Sequence, residues 1–253
     1  MKKALFILPA FAALSIACND DDNSYNYPSA GAFVTARTID TTPTTGEESG
    51  ESDFYFELDN GKTMSVVPNS VSDVYEVTDE ARSVIFFDFE EPVVEGYDYT
   101  ILMRSFRDVI VGEVTTITTE QEDQDTPDNT LSFVNVDISL ANDWLNLYVG
   151  YISEDADAAQ FRLVKNDYTE PDETVDGYLN LELRFERGGS DSIAPSYEDY
   201  VSFDVSSLSS ELEGKEGILL KIITLRSGET FVKVNKAEAE RVSSQSIKLS
   251  KSI

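Results

Sequence analysis

The feature that most constrains this chain is two-residue periodicity with no helical counterpart. Leu179, Leu181, Leu183 and Phe185 alternate with Asn180, Glu182 and Arg184, so an extended segment there has one apolar and one polar face. A helix would scatter the same residues around its axis. Similar short β-rich runs fill the first half: Ala32–Thr38, Phe54–Leu58, Thr63–Val67, Ser83–Phe89, Tyr97–Phe106 and Val109–Thr118. Leu131–Leu140, Trp144–Tyr151, Phe161–Lys165, Tyr178–Phe185, Tyr200–Val205, Ile218–Arg226 and Thr230–Val234 follow in the second. The chain therefore reads as all-β.

Punctuation supports the same reading. Asp59-Asn60-Gly61 predicts a hairpin, because Asn and Gly both tolerate positive φ. Ser227-Gly228 predicts another, and Thr41–Ser52 reads as a loop inside the first hairpin. Glu120–Asp128 has no apolar residue apart from one proline. Residues 121–128 are thus expected to link a first unit, 31–120, to a second, 129–235. The seven runs of the second unit suffice for an immunoglobulin-like β-sandwich of about 100 residues. Lys236–Arg241 favours a short helix within a tail, 236–253.

Elimination does most of the functional work. The chain has no histidine and one cysteine. Disulfides within it are excluded, and so are Ser-His-Asp and Cys-His catalytic groups and Cys/His zinc sites. No glycine-rich phosphate loop follows a strand. A net charge of −29 repels phosphate backbones, which argues against nucleic-acid binding. A pair of carboxylates can hydrolyse a glycoside, but among 48 acidic residues nothing singles out a pair. The expectation is a non-enzymatic protein with no cofactor and no metal.

The amino terminus carries the clearest motif. Met1-Lys2-Lys3 is a short basic region, and Ala4–Ala17 is apolar but too short to span a bilayer. It ends in Leu14-Ser15-Ile16-Ala17-Cys18, which resembles a lipobox. On that reading residues 1–17 are a signal peptide and Cys18 is acylated and anchors the protein in a membrane. Asn19-Asp20-Asp21-Asp22 opens a polar tether, 18–30. Acidic residues in that place resemble the export signal of Bacteroidetes lipoproteins, implying an outer-membrane protein displayed at the cell surface, with a periplasm-facing lipoprotein as the alternative.

Four further groups are candidates for binding. Trp144, Tyr148 and Tyr151 offer an aromatic platform for a sugar, or else core packing. Arg104, Phe106 and Arg107 form the densest cationic group, open to an anion or to salt bridges with nearby acids. Asp123, Asp125 and Asp128 have some spacing of a calcium loop but lack its glycine and terminal glutamate. Asp40-Thr41-Thr42 and Asp191-Ser192-Ile193 resemble a short O-glycosylation site.

Taken in order, several motifs resemble the NigD-like lipoproteins. In the first half they are Gly31-Ala32-Phe33-Val34-Thr35, Tyr55-Phe56-Glu57-Leu58-Asp59-Asn60-Gly61, Ala81-Arg82-Ser83-Val84-Ile85-Phe86-Phe87 and Tyr97-Asp98-Tyr99. In the second they are Asp143-Trp144-Leu145-Asn146-Leu147, Phe161-Arg162-Leu163-Val164, Leu181-Glu182-Leu183-Arg184 and Val201-Ser202-Phe203-Asp204-Val205. Gln160 departs from the family, whose members tend to carry histidine there. The resemblance implies an OB-like barrel followed by a β-sandwich. It also implies a protein partner, since the family's namesake was proposed to be an immunity protein for a bacteriocin. A glycan-binding accessory protein of polysaccharide uptake is the alternative.

Overall fold

A computed structural model describes residues 30–39, 53–135, 139–189 and 194–236. The signal peptide, Cys18, nearly all of the tether, the Thr41–Ser52 loop and both O-glycosylation motifs lie outside these residues. So does the segment expected to be helical beyond Lys236.

Five strands build the first half: β1 (Ala30–Thr38), β2 (Phe54–Leu58), β3 (Thr63–Val66), β4 (Arg82–Glu90) and β5 (Tyr99–Ile117). β1 pairs antiparallel with β2 and with β4. β2 pairs antiparallel with β3, β3 runs parallel to β5, and β5 returns antiparallel to β4. The pairing closes into a ring of five strands, which removes free edges. Alternate residues Val34, Ala36, Phe56, Met64, Ile85, Phe87, Ile101 and Met103 fill the interior. Gly61 takes φ +79° at the β2–β3 turn, as the Asn-Gly signal predicts.

β5 continues for 19 residues where two separate strands are expected. Arg107-Asp108 looks like a break because both side chains are exposed. The backbone there stays paired, however, as Val84↔Arg107 and Ser83↔Asp108 end the β4 ladder. Val109 then opens a parallel ladder to β11 (Ser196–Asp204), and Glu113 opens another to β9 (Gln160–Asn166). One strand thereby serves both halves of the molecule.

The remaining strands are β6 (Phe133–Val134), β7 (Ser139–Ala141), β8 (Trp144–Ile152), β10 (Tyr178–Glu186), β12 (Gly217–Thr224) and β13 (Gly228–Asn235). The expected Leu131–Leu140 run is divided between β6 and β7. One layer joins β6 and β7 to β8, then β11 and β5. The other runs β5, β9, β10, β12, β13. Leu145, Leu147, Val149, Tyr151, Val201 and Phe203 from the first layer pack with Phe161, Leu163, Leu181, Leu183, Phe185 and Leu220 from the second. The fold is all-β, and this half is a β-sandwich.

Residues 121–125 of the expected linker lie in a six-residue helix, α1 (Glu120–Asp125). Thr119 Oγ1 accepts from the Glu122 N–H, and the Glu122 carboxylate accepts from the Thr118 and Thr119 N–H groups. This capping box satisfies orphan donors that an acidic run alone would leave to water. The same bonds hold the Glu122 carboxyl below its ordinary range.

Candidate functional site

The polar centre of the molecule lies where the barrel meets the sandwich. Arg82, on β4, is 4% exposed. Its Nη1 donates to Asp59 Oδ1 at 2.5 Å and to Thr35 Oγ1 at 3.1 Å, while Nη2 donates to Asp59 Oδ2 at 3.1 Å. Nη2 also reaches Asn146 Oδ1 across the boundary at 2.9 Å. Asn146 Nδ2 donates to Asp59 Oδ2 at 2.6 Å, and Ser202 Oγ donates to Asn146 Oδ1 at 2.6 Å. Asn142 donates to the Asp59 carbonyl. The Asp59-Asn60-Gly61 turn is thus both a hairpin and a docking point. Both Asp59 carboxylate oxygens and both Asn146 amide atoms are engaged, while Arg82 Nε is buried without a partner; the group joins the two units, a role that paired buried charges suit.

Trp144 belongs to this joint, its ring 4.2 Å from the Arg82 guanidinium carbon. Tyr148 is half-buried beside Phe133 and Tyr200, and its hydroxyl donates to Glu198 at 2.6 Å. Burial and that bond push its phenol up to about 12. Tyr151 is fully buried between Phe161 and Phe185. The three aromatics therefore form no common platform. Strand parity separates them: Trp144 and Tyr148 share one face of β8, and Tyr151 shares the other with Leu145, Leu147 and Val149.

Most of the other candidates have local partners. Arg104 Nε pairs with Asp88 at 2.6 Å, Phe106 packs on Tyr75, and Arg107 is exposed near Tyr148. Asp123 accepts from Arg184 at 2.5 Å and Asn166 at 3.1 Å, and Asp125 accepts from Gln121 at 2.9 Å. Asp128 is exposed. Among the described residues no three acidic side chains gather as a metal site would require.

The surface best suited to a partner is one end of the barrel, which the sequence reading missed. Phe89 follows Phe87 on the inward-facing side of β4 but stands past the last core layer, 55% exposed. Its ring lies 5.2 Å from Phe87 and 5.5 Å from Tyr99. Val93, in the loop after β4, is 41% exposed. Exposed Glu91, Glu95 and Asp98 and partly exposed Glu90 occupy the same stretch. An apolar centre with a mainly acidic surround, the Lys62 ammonium lying 5.2 Å from the Tyr99 ring centre, favours a partner surface that is apolar and basic. The signal in the sequence is Phe89 itself, an aromatic at the end of an inward series immediately before two glutamates.

Comparison with known proteins places the second half. Residues 113–236 match the NigD-like C-terminal beta sandwich domain. A solved structure of a protein of unknown function from Bacteroides vulgatus is similar, with TM-score 0.64 and 21% identity over 83% of this chain and 91% of that one. A Parabacteroides distasonis protein described as toxin-related gives TM-score 0.56 and 17% identity, covering 83% of this chain and 93% of that one. A Bacteroides fragilis protein described as a lipoprotein gives TM-score 0.56 and 14% identity, covering 83% and 99%. At these identities the likeness is one of fold. No curated protein matches the sequence.

Proposed function

We propose, on the premise that residues 113–236 are a NigD-like C-terminal beta sandwich domain, that the chain is a non-enzymatic lipoprotein that binds a protein partner in an immunity-like role. The observation that carries the reading is the acid-rimmed apolar end of the barrel at Phe89, Val93 and Tyr99. Burying those side chains supplies affinity, while the net charge of −29 speeds encounter with a basic partner. The closed five-stranded ring supports reading residues 31–120 as an OB-like barrel. The lipobox-like run before Cys18 supports a lipid anchor in the outer membrane, and Asp20, Asp21 and Asp22 behind it support display at the cell surface. The fold shared with a B. fragilis protein described as a lipoprotein agrees with that reading.

A photo-crosslinking side chain at Phe89 tests it. One discrete adduct in native cells is expected, together with new sensitivity of a deletion strain to one antibacterial protein. Absence of any adduct, with sensitivity unchanged, overturns the reading.

A further inference from the structure

Strand β13 stands at the end of its layer, paired with β12 on one side only. A bridge from Leu140 to Lys236 covers the end of the other side, and from Glu229 to Lys233 no described residue pairs with it. Such an edge is a row of unbonded N–H and C=O groups, a template for another strand. Parity identifies the groups. The Lys236 N–H donates to the Glu216 carbonyl at 2.9 Å, in step with Gly217↔Asn235 and Leu220↔Val232. Even-numbered residues of β13 therefore bond to β12, while Glu229, Phe231 and Lys233 turn their backbone groups outward.

The side chains of those three residues share one face, and their charges are complementary about Phe231. A second copy laid antiparallel, with Phe231 opposite Phe231, sets Glu229 against Lys233 twice. Backbone parity permits that register, because outward-facing residues then meet each other and exchange hydrogen bonds directly. A slip of two residues either way keeps the bonds but parts the charges. Lysine on an edge wards off a second strand when it meets a like charge; in this register it meets a carboxylate. Lys233 is exposed, its ammonium 5.1 Å from the Tyr178 ring centre rather than against a carboxylate. The Glu229 side chain is 42% exposed, and its contact with Lys221 is a loose 3.3 Å, so it keeps capacity for a further donor.

We infer that β13 pairs with β13 of a second copy of this chain, giving a symmetric dimer whose sheet runs through the two-fold axis at Phe231. The inference does not depend on the partner reading at Phe89. The net charge of −29 opposes association at long range. At physiological salt that field decays over about 8 Å, whereas the Glu229–Lys233 pairs act in contact. The interface is one strand wide, so the dimer is weak and grows in as protein concentration rises.

The test uses the chain beginning at Asn19, followed by analytical ultracentrifugation across a dilution series and by amide hydrogen exchange on the same samples. A reversible monomer–dimer equilibrium is expected. Exchange at Glu229, Phe231 and Lys233 should slow with concentration, while Thr230 and Val232, already bonded to β12, change little. Glu229→Lys sets like charges opposite each other and should weaken the dimer at least about tenfold. Adding Lys233→Glu restores the opposition of charge and the affinity. Phe231→Pro removes an outward N–H and no bond to β12, so it should give a folded monomer; should that variant unfold, the charge exchange decides. A monomer at about millimolar protein, a dimer that leaves these three amides unprotected, or a double variant no tighter than Glu229→Lys each overturns the inference.

Discussion

The guanidinium carbon of Arg82 lies 4.2 Å from the centre of the Trp144 ring, while its two terminal nitrogens grip Asp59. One residue of the barrel thus bonds within its own unit and packs on the sandwich. The side chain of Arg82 is 1% exposed and that of Asp59 10%, so the pair is shielded from water. Arg82→Ala should cost about 3–5 kcal/mol, because Asp59 is left as a buried charge with one amide for company. Urea denaturation of the soluble form measures this. A loss below about 1 kcal/mol would mean that the joint is soft.

The long strand β5 passes close to the sandwich core at Gly112. A Cβ built there would lie 2.2 Å from Phe203 Cε1, and Phe203 is fully buried. Gly112→Ala should therefore destabilise by about 1–3 kcal/mol through overpacking. Adding Phe203→Leu should return part of that loss, a coupling that a double-mutant cycle detects. Strict additivity would place the strain elsewhere.

Tyr148 makes stability sensitive to alkali. Its phenol is raised to about 12 in the fold from an ordinary value of 10.0. A raised folded value means that the neutral form is favoured by folding. The contribution is fully present below pH 10 and is lost as the pH climbs from 10 towards 12. Burial and a bond to Asp199 raise Tyr151 as well, so the tyrosinate ultraviolet band should show one fewer late-titrating tyrosine in Tyr148→Phe, and that variant should lose less stability across the same window.

Phe89→Glu separates binding from folding. The ring is 55% exposed, so its replacement should change stability by no more than about 0.5 kcal/mol. Partner capture at the barrel end should nonetheless disappear. A variant that unfolds would show that the ring is holding the barrel together instead.

Cys18→Ala addresses the anchor. The precursor should remain unacylated and leave the membrane fraction, since a lipid on this residue is the proposed attachment. Firm retention in the membrane fraction would contradict lipidation at Cys18.

Some of this was legible in the residues because it is local. Alternation along Leu179–Phe185 names a strand and its core face, and Asn60-Gly61 names a turn, since side-chain direction and positive φ depend on near neighbours. The Arg107-Asp108 pair misleads as a break because exposure of two side chains says nothing about the backbone ladder beneath. Tyr151 could have been removed from the platform by counting parity from Trp144. The Thr119 and Glu122 spacing already held the capping box that turns a presumed linker into a helix.

By itself the sequence determined the all-β class, most strand positions, the absence of histidine and disulfide chemistry, and a lipobox-like cysteine. Each follows from periodicity or from which residue types exist at all. Only the tertiary structure decided that Arg82, Asp59 and Asn146 meet, that β5 serves both halves and that Phe89 stays in solvent. Those facts depend on pairings between residues far apart in the chain, Asp59 and Asn146 being 87 positions apart. No local pattern encodes which distant strand will lie alongside, because register is settled by the packing of the whole.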